Sequence, residues 1–291
     1  MTRYQLTHKL RRLFQISLLT VVMVVILFPV FWMAVTSIKY PREIGTYPPR
    51  VIPEEPTAVN YISAFIPGAG ITIQSYSSGT NALIYLRNSI IVTTLATVIS
   101  LLAGVPAGYS IARFNTGGKH LAFWIISTRM APPVALMIPI FTVLRSVKLV
   151  NTHLGVVLPT LIITLPFVVW LMDSFFREIP GELEEQALID GASRFQAFYR
   201  IILPVTKAGV VTSALFSIFF SWNNLIFPLI LAYTKDVHTI PILIAGYRGA
   251  KGILYGEMSA VTFVTMTPIV AFAIAIQRNL IRGLTLGAVK G

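Results

Sequence analysis

The chain has 291 residues, of which 55% are hydrophobic and only 12% are charged. Soluble domains carry about 25% charged residues, so this composition excludes an ordinary soluble protein and indicates an integral membrane protein. We attribute the net charge of +12 to Lys and Arg in cytoplasmic loops, which anionic lipid headgroups would attract, rather than to nucleic-acid binding. The absence of cysteine excludes disulfides and thiol chemistry.

The first apolar run covers residues 14–38 and follows a basic leader that contains Arg3, Lys9, Arg11 and Arg12. A signal peptide is the alternative interpretation. The run is longer than a typical signal-peptide core, and no small-residue cleavage site follows it cleanly. Its length therefore favours a retained membrane-spanning helix.

Six apolar runs are long enough to cross a bilayer as helices. Because only helices and closed barrels satisfy the backbone in lipid, and because these runs are too long for barrel strands, we predict an all-α integral membrane protein. The predicted spans are 14–38, 84–112, 120–145, 154–176, 207–233 and 258–281. With the N-terminus inside, the inner segments hold 13 Lys and Arg and the outer segments hold 9, which favours cytoplasmic termini.

Two outer loops stand out by composition. Residues 39–83 contain Pro48, Pro49, Pro53 and Pro56, which predict an extended and irregular chain. Residues 234–257 contain four glycines around two cations, and glycine permits backbone shapes that other residues resist. These residues are Gly246, Arg248, Gly249, Lys251, Gly252 and Gly256.

Residues 180–204, called the polar segment below, lie between long apolar runs. Three acidic residues crowd the first turn of a predicted helix, where they favour the helix dipole. Apolar residues then recur with helical spacing and predict one apolar face, while Gly191 marks a bend between two short helices. The face would hold Leu188, Ala192, Phe195, Tyr199 and Ile202. A helix lying on the membrane surface is the alternative, although its acids would face an anionic leaflet.

The residues of the polar segment resemble the "EAA" loop of ABC importer permeases. The match rests on Glu185, Ala187, Asp190, Gly191, Ala192, Ile202, Leu203 and Pro204. Similarity to the carbohydrate-uptake, maltose-type subgroup extends to Asn88-Ser89, Pro132-Pro133, Asn151-Thr152, Ser221-Trp222-Asn223 and the tail from Arg282 to Gly291. Gln186 departs from the family pattern, which has Ala there, but Gln preserves helix propensity.

The resemblance implies a single permease domain over residues 1–291, with six transmembrane helices and a cytoplasmic coupling helix. In the family this helix seats in a cleft of a separate ATPase, which binds ATP and Mg²⁺. The implied partners are a second, related permease chain, two ATPase subunits and an extracytoplasmic sugar-binding protein at a bacterial inner membrane. The ATPase-coupling residues would be Glu185, Ala187, Asp190, Gly191, Ala192, Phe195, Leu203 and Pro204. The loop bearing Gly246, Arg248, Gly249 and Lys251 would contact the binding protein, unless it is a plain solvated loop.

The sequence itself separates this chain from the energy source. A phosphate-binding P-loop requires the pattern G-x-x-x-x-G-K-[ST], and Gly118-Lys119 is followed by His120 without the first glycine. We therefore expect no ATP-binding site and no enzymatic activity in this chain. The four histidines show no metal-ligand spacing, so we expect no metal site.

Polar residues within the spans are candidates for the substrate path. Ser221, Trp222, Asn223 and Asn224 interrupt the fifth span. Amides and aromatic faces suit sugars, whereas the alternative is hydrogen bonding between helices, which we expect for one of the two asparagines.

Two further charges in or near the spans have structural interpretations. Arg129 is a charge within the third span, next to a predicted kink at Pro132-Pro133, and a structural role is favoured over sugar binding. Asp173 and Arg177 are spaced as an i,i+4 ion pair.

Three functions remain to be compared. The first is a permease subunit of an ATP-driven sugar importer. The second is an ion-coupled secondary transporter, a class that usually carries acidic residues at the centre of its spans, where this chain has none. The third is a membrane scaffold without transport activity.

Overall fold

A computed structural model describes residues 3–66, 81–118, 120–249 and 252–288, and most of them are helical. The first seven helices are α1 (Arg3–Ser37), α2 (Pro41–Ile44), α3 (Val59–Phe65), α4 (Ala82–Phe114), α5 (Leu121–Ser127), α6 (Pro133–Ser146) and α7 (His153–Arg177). The others are α8 (Glu182–Ile189), α9 (Arg194–Ala197), α10 (Leu203–Val205), α11 (Lys207–Trp222), α12 (Ile226–Leu231), α13 (Ile240–Gly246) and α14 (Tyr255–Ala288). Strands β1 (Arg248–Gly249) and β2 (Gly252–Ile253) form one antiparallel hairpin.

Among the described residues, four helices are long and apolar enough to cross a membrane, and the number rises to six if each of two bent pairs is one span. The four are α1 from Arg11, α4, α7 and the first part of α14. The apolar side chains of α1 from Leu13 to Phe28 are exposed on all sides, as expected for a helix surrounded by lipid or by another chain. The chain is an all-α integral membrane protein.

One bent pair is α5 with α6, and the other is Arg194–Val205 with α11, bent by 75°. Two of the predicted spans, the third and the fifth, are themselves broken. The predicted third span consists of α5, a 3₁₀ turn and α6, with a bend of 92°. The residue before a proline avoids the helical region, and both Ala131 and Pro132 are extended where two prolines follow one another. The predicted kink is therefore a sharp corner.

The predicted fifth span, 207–233, is likewise not continuous. Helix α11 ends at Trp222, and α12 begins at Ile226. Pro228 lacks the N–H that would bond to the carbonyl of Asn224 in a continuous helix, so the chain breaks at that point. The sequence prediction missed this break because the apolar run continues on both sides of it.

The chain divides into two compact units: residues 1–82 with 246–265, and residues 83–245 with 266–291. In the second unit, α4 packs closely against α7. A side chain at Gly104 would collide with Val168, and one at Gly108 would collide with the backbone of Asp173. The G-x-x-x-G spacing of these glycines is a common solution for close helix contact in membranes. The hydroxyls of Ser100 and Thr164 bond across the same contact at 2.7 Å.

The first unit contains the segment after α1. The prediction of an irregular chain over 39–83 was wrong in part, because α2 and α3 form there, and residues 67–80 lie outside the described ranges. Asn60 Nδ2 donates to the carbonyls of Ser37 and Lys39 at 2.9 and 2.8 Å, and so satisfies carbonyls at the end of α1. Burial lowers the pKa of Lys39, and the nearby carboxylate of Glu43 opposes that shift.

Candidate functional site

The polar segment forms two arms that meet at Gly191. The first arm is α8, and the second consists of α9, a π-helical turn from Phe198 to Ile202, and α10. Gly191 has φ 86°, a left-handed conformation that suits glycine, so the break predicted there is present. Ser193 starts the second arm with a capping box: its hydroxyl accepts from Gln196 N at 3.3 Å, and its own N donates to Gln196 Oε1 at 2.8 Å.

The apolar face predicted for the polar segment was wrong. Ile202 is fully buried, whereas the exposed fractions of Leu188, Phe195 and Tyr199 are 37%, 73% and 61%. The prediction assumed one helical register through the segment. Gly191 reorients the chain, and the π turn adds a residue per turn before Pro204, so the register is lost. The apolar residues that are buried in the polar segment are Ala187, Ala197, Phe198 and Ile202.

The outward side of the polar segment carries acidic and aromatic side chains. The rings of Phe195 and Tyr199 stack with centroids 6.0 Å apart, and Ile189 is 84% exposed. The predicted coupling residues divide by burial. Glu185, Asp190, Gly191, Phe195 and Pro204 are exposed; Ala192 and Leu203 are half-buried; Ala187 is buried. A segment that exposes both an aromatic pair and carboxylates is suited to contact with another protein chain.

The inward side of the polar segment is attached to α4 through a carboxylate that the sequence prediction missed. Glu184 is 8% exposed. Its Oε1 accepts a hydrogen bond from Tyr109 Oη at 2.6 Å, and its Oε2 lies 3.4 Å from Arg113 Nε as an ion pair. Tyr109 and Arg113 are spaced i,i+4 at the end of α4, which places them on one helix face, but this spacing alone does not identify Glu184 as their partner.

Asp173 and Arg177 form the ion pair that their spacing predicted. Arg177 Nε lies 3.0 Å from each carboxylate oxygen, and Arg177 Nη2 lies 2.9 Å from Oδ1. The Asp173 side chain is buried, and the arginine is half exposed. The pair stabilises the last turn of α7, which leads into the polar segment.

Of the four candidate residues of the substrate path, Ser221 and Trp222 end α11, and Asn223 and Asn224 lie in the break that follows. Asn224 is the asparagine that bonds between helices: its Nδ2 donates to Thr160 Oγ1 of α7 at 3.1 Å. Asn223 is exposed and donates to the carbonyl of Phe219 in its own helix. Ser221 and Trp222 are buried. Trp222 lines a largely apolar cavity of about 250 Å³ together with Thr93, Thr97, Pro268 and Phe272.

Arg129 lies in the 3₁₀ turn at the corner between α5 and α6. Its guanidinium is 4.3 Å from the ring centroid of Phe220 and 5.2 Å from that of Phe167. Such cation–π contacts offset part of the cost of a charge within a span. These contacts agree with the favoured structural role.

The glycine-rich outer loop is a short hairpin in the first unit. Gly246 ends α13, Arg248 and Gly249 form β1, and Arg248 is exposed. Lys251 lies outside the described residues. A hairpin presents side chains in a defined order, which a plain loop does not.

At the ends of α4 and α7 remote from the polar segment, neutral side chains hold the chain that follows α12. Asn88 Nδ2 donates to the carbonyls of Lys235 and His238 at 3.0 and 2.9 Å. Asn151 Oδ1 accepts from the backbone N–H groups of Tyr233 and Thr234 at 2.8 and 3.1 Å. These bonds give a structural reason for the two asparagines on which the sequence resemblance partly rested.

Comparison with known proteins gives one family over most of this architecture. The family described as "Binding-protein-dependent transport system inner membrane component" matches residues 104–286. The trehalose transport system permease protein SugB of Mycobacterium tuberculosis is 34% identical over 91% of this chain and 93% of its own length. The sulfoquinovosyl glycerol transport system permease protein SmoH of Agrobacterium fabrum is 30% identical over 91% and 89%.

A solved structure shows the same fold. It is a chain of a bacterial ABC transporter involved in the import of the acidic polysaccharide alginate. The match has a TM-score of 0.75 at 18% identity and covers 96% of this chain and 98% of that chain.

Proposed function

This chain belongs to the family of binding-protein-dependent transport system inner membrane components, and we propose that it forms half of the translocation path of an ATP-driven sugar importer. Both the trehalose permease and the sulfoquinovosyl glycerol permease are more than four-fifths aligned with it. The two compounds in those names, trehalose and sulfoquinovosyl glycerol, are both hydroxyl-rich glycosides. Neither relative favours the ion-coupled transporter or the scaffold that the sequence left open.

The observation that carries the proposal is the polar segment. In a chain with 12% charged residues, it presents Glu185, Asp190, Phe195 and Tyr199 outward from two arms set by Gly191. A helix lying on lipid would turn its aromatic side chains toward the membrane and keep its acids away from an anionic leaflet. A protein cleft that accepts both explains the mixture better. We assign that cleft to a separate ATPase.

The remaining assignments follow from this one. The polar segment and both termini would face the cytoplasm of a bacterial inner membrane, in agreement with the Lys and Arg distribution. A second permease chain would complete the path, and two ATPase subunits would bind ATP and Mg²⁺ and hydrolyse the nucleotide. The hairpin with Arg248 would contact an outer sugar-binding protein. Trp222 and Asn223 remain the candidates for contact with the sugar, since Asn224 is occupied by Thr160.

A reconstitution experiment tests the proposal. The tagged chain, purified from its native membrane, should retain an ATPase and a second permease, and ATP hydrolysis should rise when a sugar-loaded binding protein is added. Mass spectrometry of the binding protein's contents identifies the sugar, and radiolabelled trehalose tests uptake directly. Retention of no ATPase by a correctly inserted chain would contradict the proposal.

A charge reversal on the outward side locates the contact. Glu185→Lys places a cation on the proposed ATPase surface and should abolish both copurification of the ATPase and uptake. Glu182→Lys is the matched control, since Glu182 is also exposed on α8 but outside the matched motif. Equal ATPase retention by the two variants would remove Glu185 from the contact.

A further inference from the structure

We propose that Tyr109, Glu184 and Arg113 form the joint that fixes both arms of the polar segment to α4, and that movement of the segment enters the membrane-spanning helices through this joint. The inference rests on the proposed function, because it assumes that a partner moves the polar segment. It assigns separate roles to two adjacent glutamates: Glu185 faces the partner, and Glu184 attaches the polar segment to α4.

The first arm is held by one buried carboxylate and by partial apolar burial. Of the eight residues of α8, only Glu184 and Ala187 are buried, while Leu183 and Leu188 are each 37% exposed. Hydrophobic stabilisation is proportional to the apolar area removed from water and has no direction, so the leucines contribute to holding α8 without fixing its orientation. The polar contacts of Glu184 fix that orientation relative to α4, because hydrogen bonds are directional.

Tyr109 contacts both arms at once. Its hydroxyl donates to Glu184 of the first arm at 2.6 Å. Its ring centroid lies 4.6 Å from that of Phe198 in the second arm and 5.4 Å from that of Phe176 at the end of α7. One residue of α4 thus sets the spacing between the arms on either side of Gly191. A displacement of either arm must move Tyr109 or break its contacts.

Arg113 adds a second connection one turn further along α4. It pairs with Glu184 at 3.4 Å, and its Nη2 donates to the carbonyl of Ile179 at 3.0 Å, just before the polar segment. The paired side chains of Arg113 and Glu184 are only 14% and 11% exposed. Because solvent screens such a pair weakly, removing one partner leaves a poorly compensated charge. The joint is therefore held by charge as well as by shape.

Close packing carries the movement onward from the joint. The glycines of α4 at 104 and 108 let α4 lie directly against α7, and packed interiors transmit displacement because they are dense. A shift of the arms would thus move the ends of α4 and α7 together. The exposed acids Glu185 and Asp190 have no such connection to α4 among the described residues.

Two conservative variants test the joint in the assembled importer. Tyr109→Phe removes the hydroxyl and keeps the ring, and Glu184→Gln removes the charge and keeps the size. Glu182→Gln is the control, because it makes the same change on an exposed glutamate of α8 outside the proposed ATPase contact. The chain has no cysteine, so spin labels at Ala103→Cys on α4 and Ile189→Cys on α8, both exposed, report the distance between these helices in lipid nanodiscs.

We expect Tyr109→Phe and Glu184→Gln to broaden this distance distribution, while Glu182→Gln leaves it unchanged. We also expect both joint variants to retain the ATPase and to hydrolyse ATP. Their uptake per ATP hydrolysed should fall about tenfold, within the range typical of coupling between distant sites. Uptake is measured with radiolabelled trehalose or sulfoquinovosyl glycerol, whichever the unsubstituted complex transports.

An unchanged distance distribution in both joint variants, or an unchanged ratio of uptake to hydrolysis, would overturn the inference. If Glu184→Gln is not recovered from the membrane, Tyr109→Phe decides alone, since it preserves the ring packing. Failure of the unsubstituted chain to bind an ATPase would instead contradict the proposed function. The distance measurement would still test the joint in that case.

Discussion

The helices α4 and α7 hold a loop at each of their ends, and the two attachments differ in chemistry. At one end, Asn88 and Asn151 bond to the backbone of the chain after α12 through uncharged amides. At the other end, Glu184 joins the polar segment to Tyr109 and Arg113 through a buried charge. The two amides bond mainly to backbone groups of the held loop, and one loop side chain, Thr234 Oγ1, also donates to Asn151 Oδ1 at 3.2 Å, whereas the charged joint depends on the side chain of Glu184.

The difference extends to what each loop presents outward. The polar segment exposes aromatic and acidic side chains, and its two arms meet at a single glycine. The chain after α12 is held at four carbonyl or N–H groups within a few residues. From the proposed function we expect a static clamp at the end held by Asn88 and Asn151 and a movable lever, the polar segment, at the other end. Three experiments, from the largest expected effect to the smallest, test that distinction.

The first experiment addresses Gly191, the hinge at which the two arms of the polar segment meet. Gly191→Val forces a β-branched residue into the left-handed region at φ 86°. That conformation costs an L-residue about 1–2 kcal/mol, equivalent to about a tenfold loss of the correct geometry. We expect uptake of radiolabelled trehalose or sulfoquinovosyl glycerol to fall at least that far, with normal membrane insertion.

Gly181→Val is the control for the hinge variant. Gly181 is exposed, has space for a side chain and has φ −64°. Its replacement should therefore leave uptake close to that of the unsubstituted protein. Similar losses at both positions would show that added bulk on this surface matters, rather than the backbone geometry of Gly191.

The second experiment addresses the clamp. Asn88→Ala removes two hydrogen bonds of about 1 kcal/mol each and leaves their carbonyl acceptors unpaired. We expect the apparent melting temperature of the solubilised complex to fall by about 5 °C, while uptake per ATP at low temperature is kept. Asn223→Ala, at an exposed asparagine, should lower it by no more than about 1 °C. If Asn88→Ala instead lowered uptake per ATP without lowering the melting temperature, the contacts of Asn88 would belong to the coupling path and would not be a static clamp.

The third experiment separates burial from charge at the lever end. Arg177→Gln removes the pair with Asp173, in which the arginine is half exposed although the carboxylate is buried, and pairs with a solvent-exposed arginine contribute about 0.5 kcal/mol. Uptake per ATP should stay within about twofold of the unsubstituted value. Arg113→Gln, at the buried pair, should reduce it as Glu184→Gln does. Equal effects of the two arginine variants would show that the joint depends on net charge alone.

Several features of the fold were predictable because they depend on neighbouring residues. Proline removes a donor wherever it occurs, so the corner at Pro132-Pro133 was expected, and glycine marked the break at Gly191. The Asp173–Arg177 pair lies within one helix and follows from its spacing. The break before Pro228 obeys the same local rule, but the predicted span was carried across it because apolar residues continue on both sides.

Other features depended on contacts between distant parts of the chain. Glu184 and Glu185 are both acids in the first turn of α8, and nothing local distinguishes them. The rotation of α8 about its axis decides which one is buried, and the second arm, whose Phe198 and Ile202 pack with Tyr109 of α4, helps to set that rotation. Asn88 finds its acceptors about 150 residues away.

The amino-acid order by itself determined that this chain is a membrane protein with a polar segment broken at Gly191, because hydropathy and backbone preference act over a few residues. The tertiary structure alone decided which side of that segment is held and which is exposed. The physical reason is that burial of a carboxylate depends on the surface packed against it, and that surface comes from α4, about 75 residues earlier in the chain.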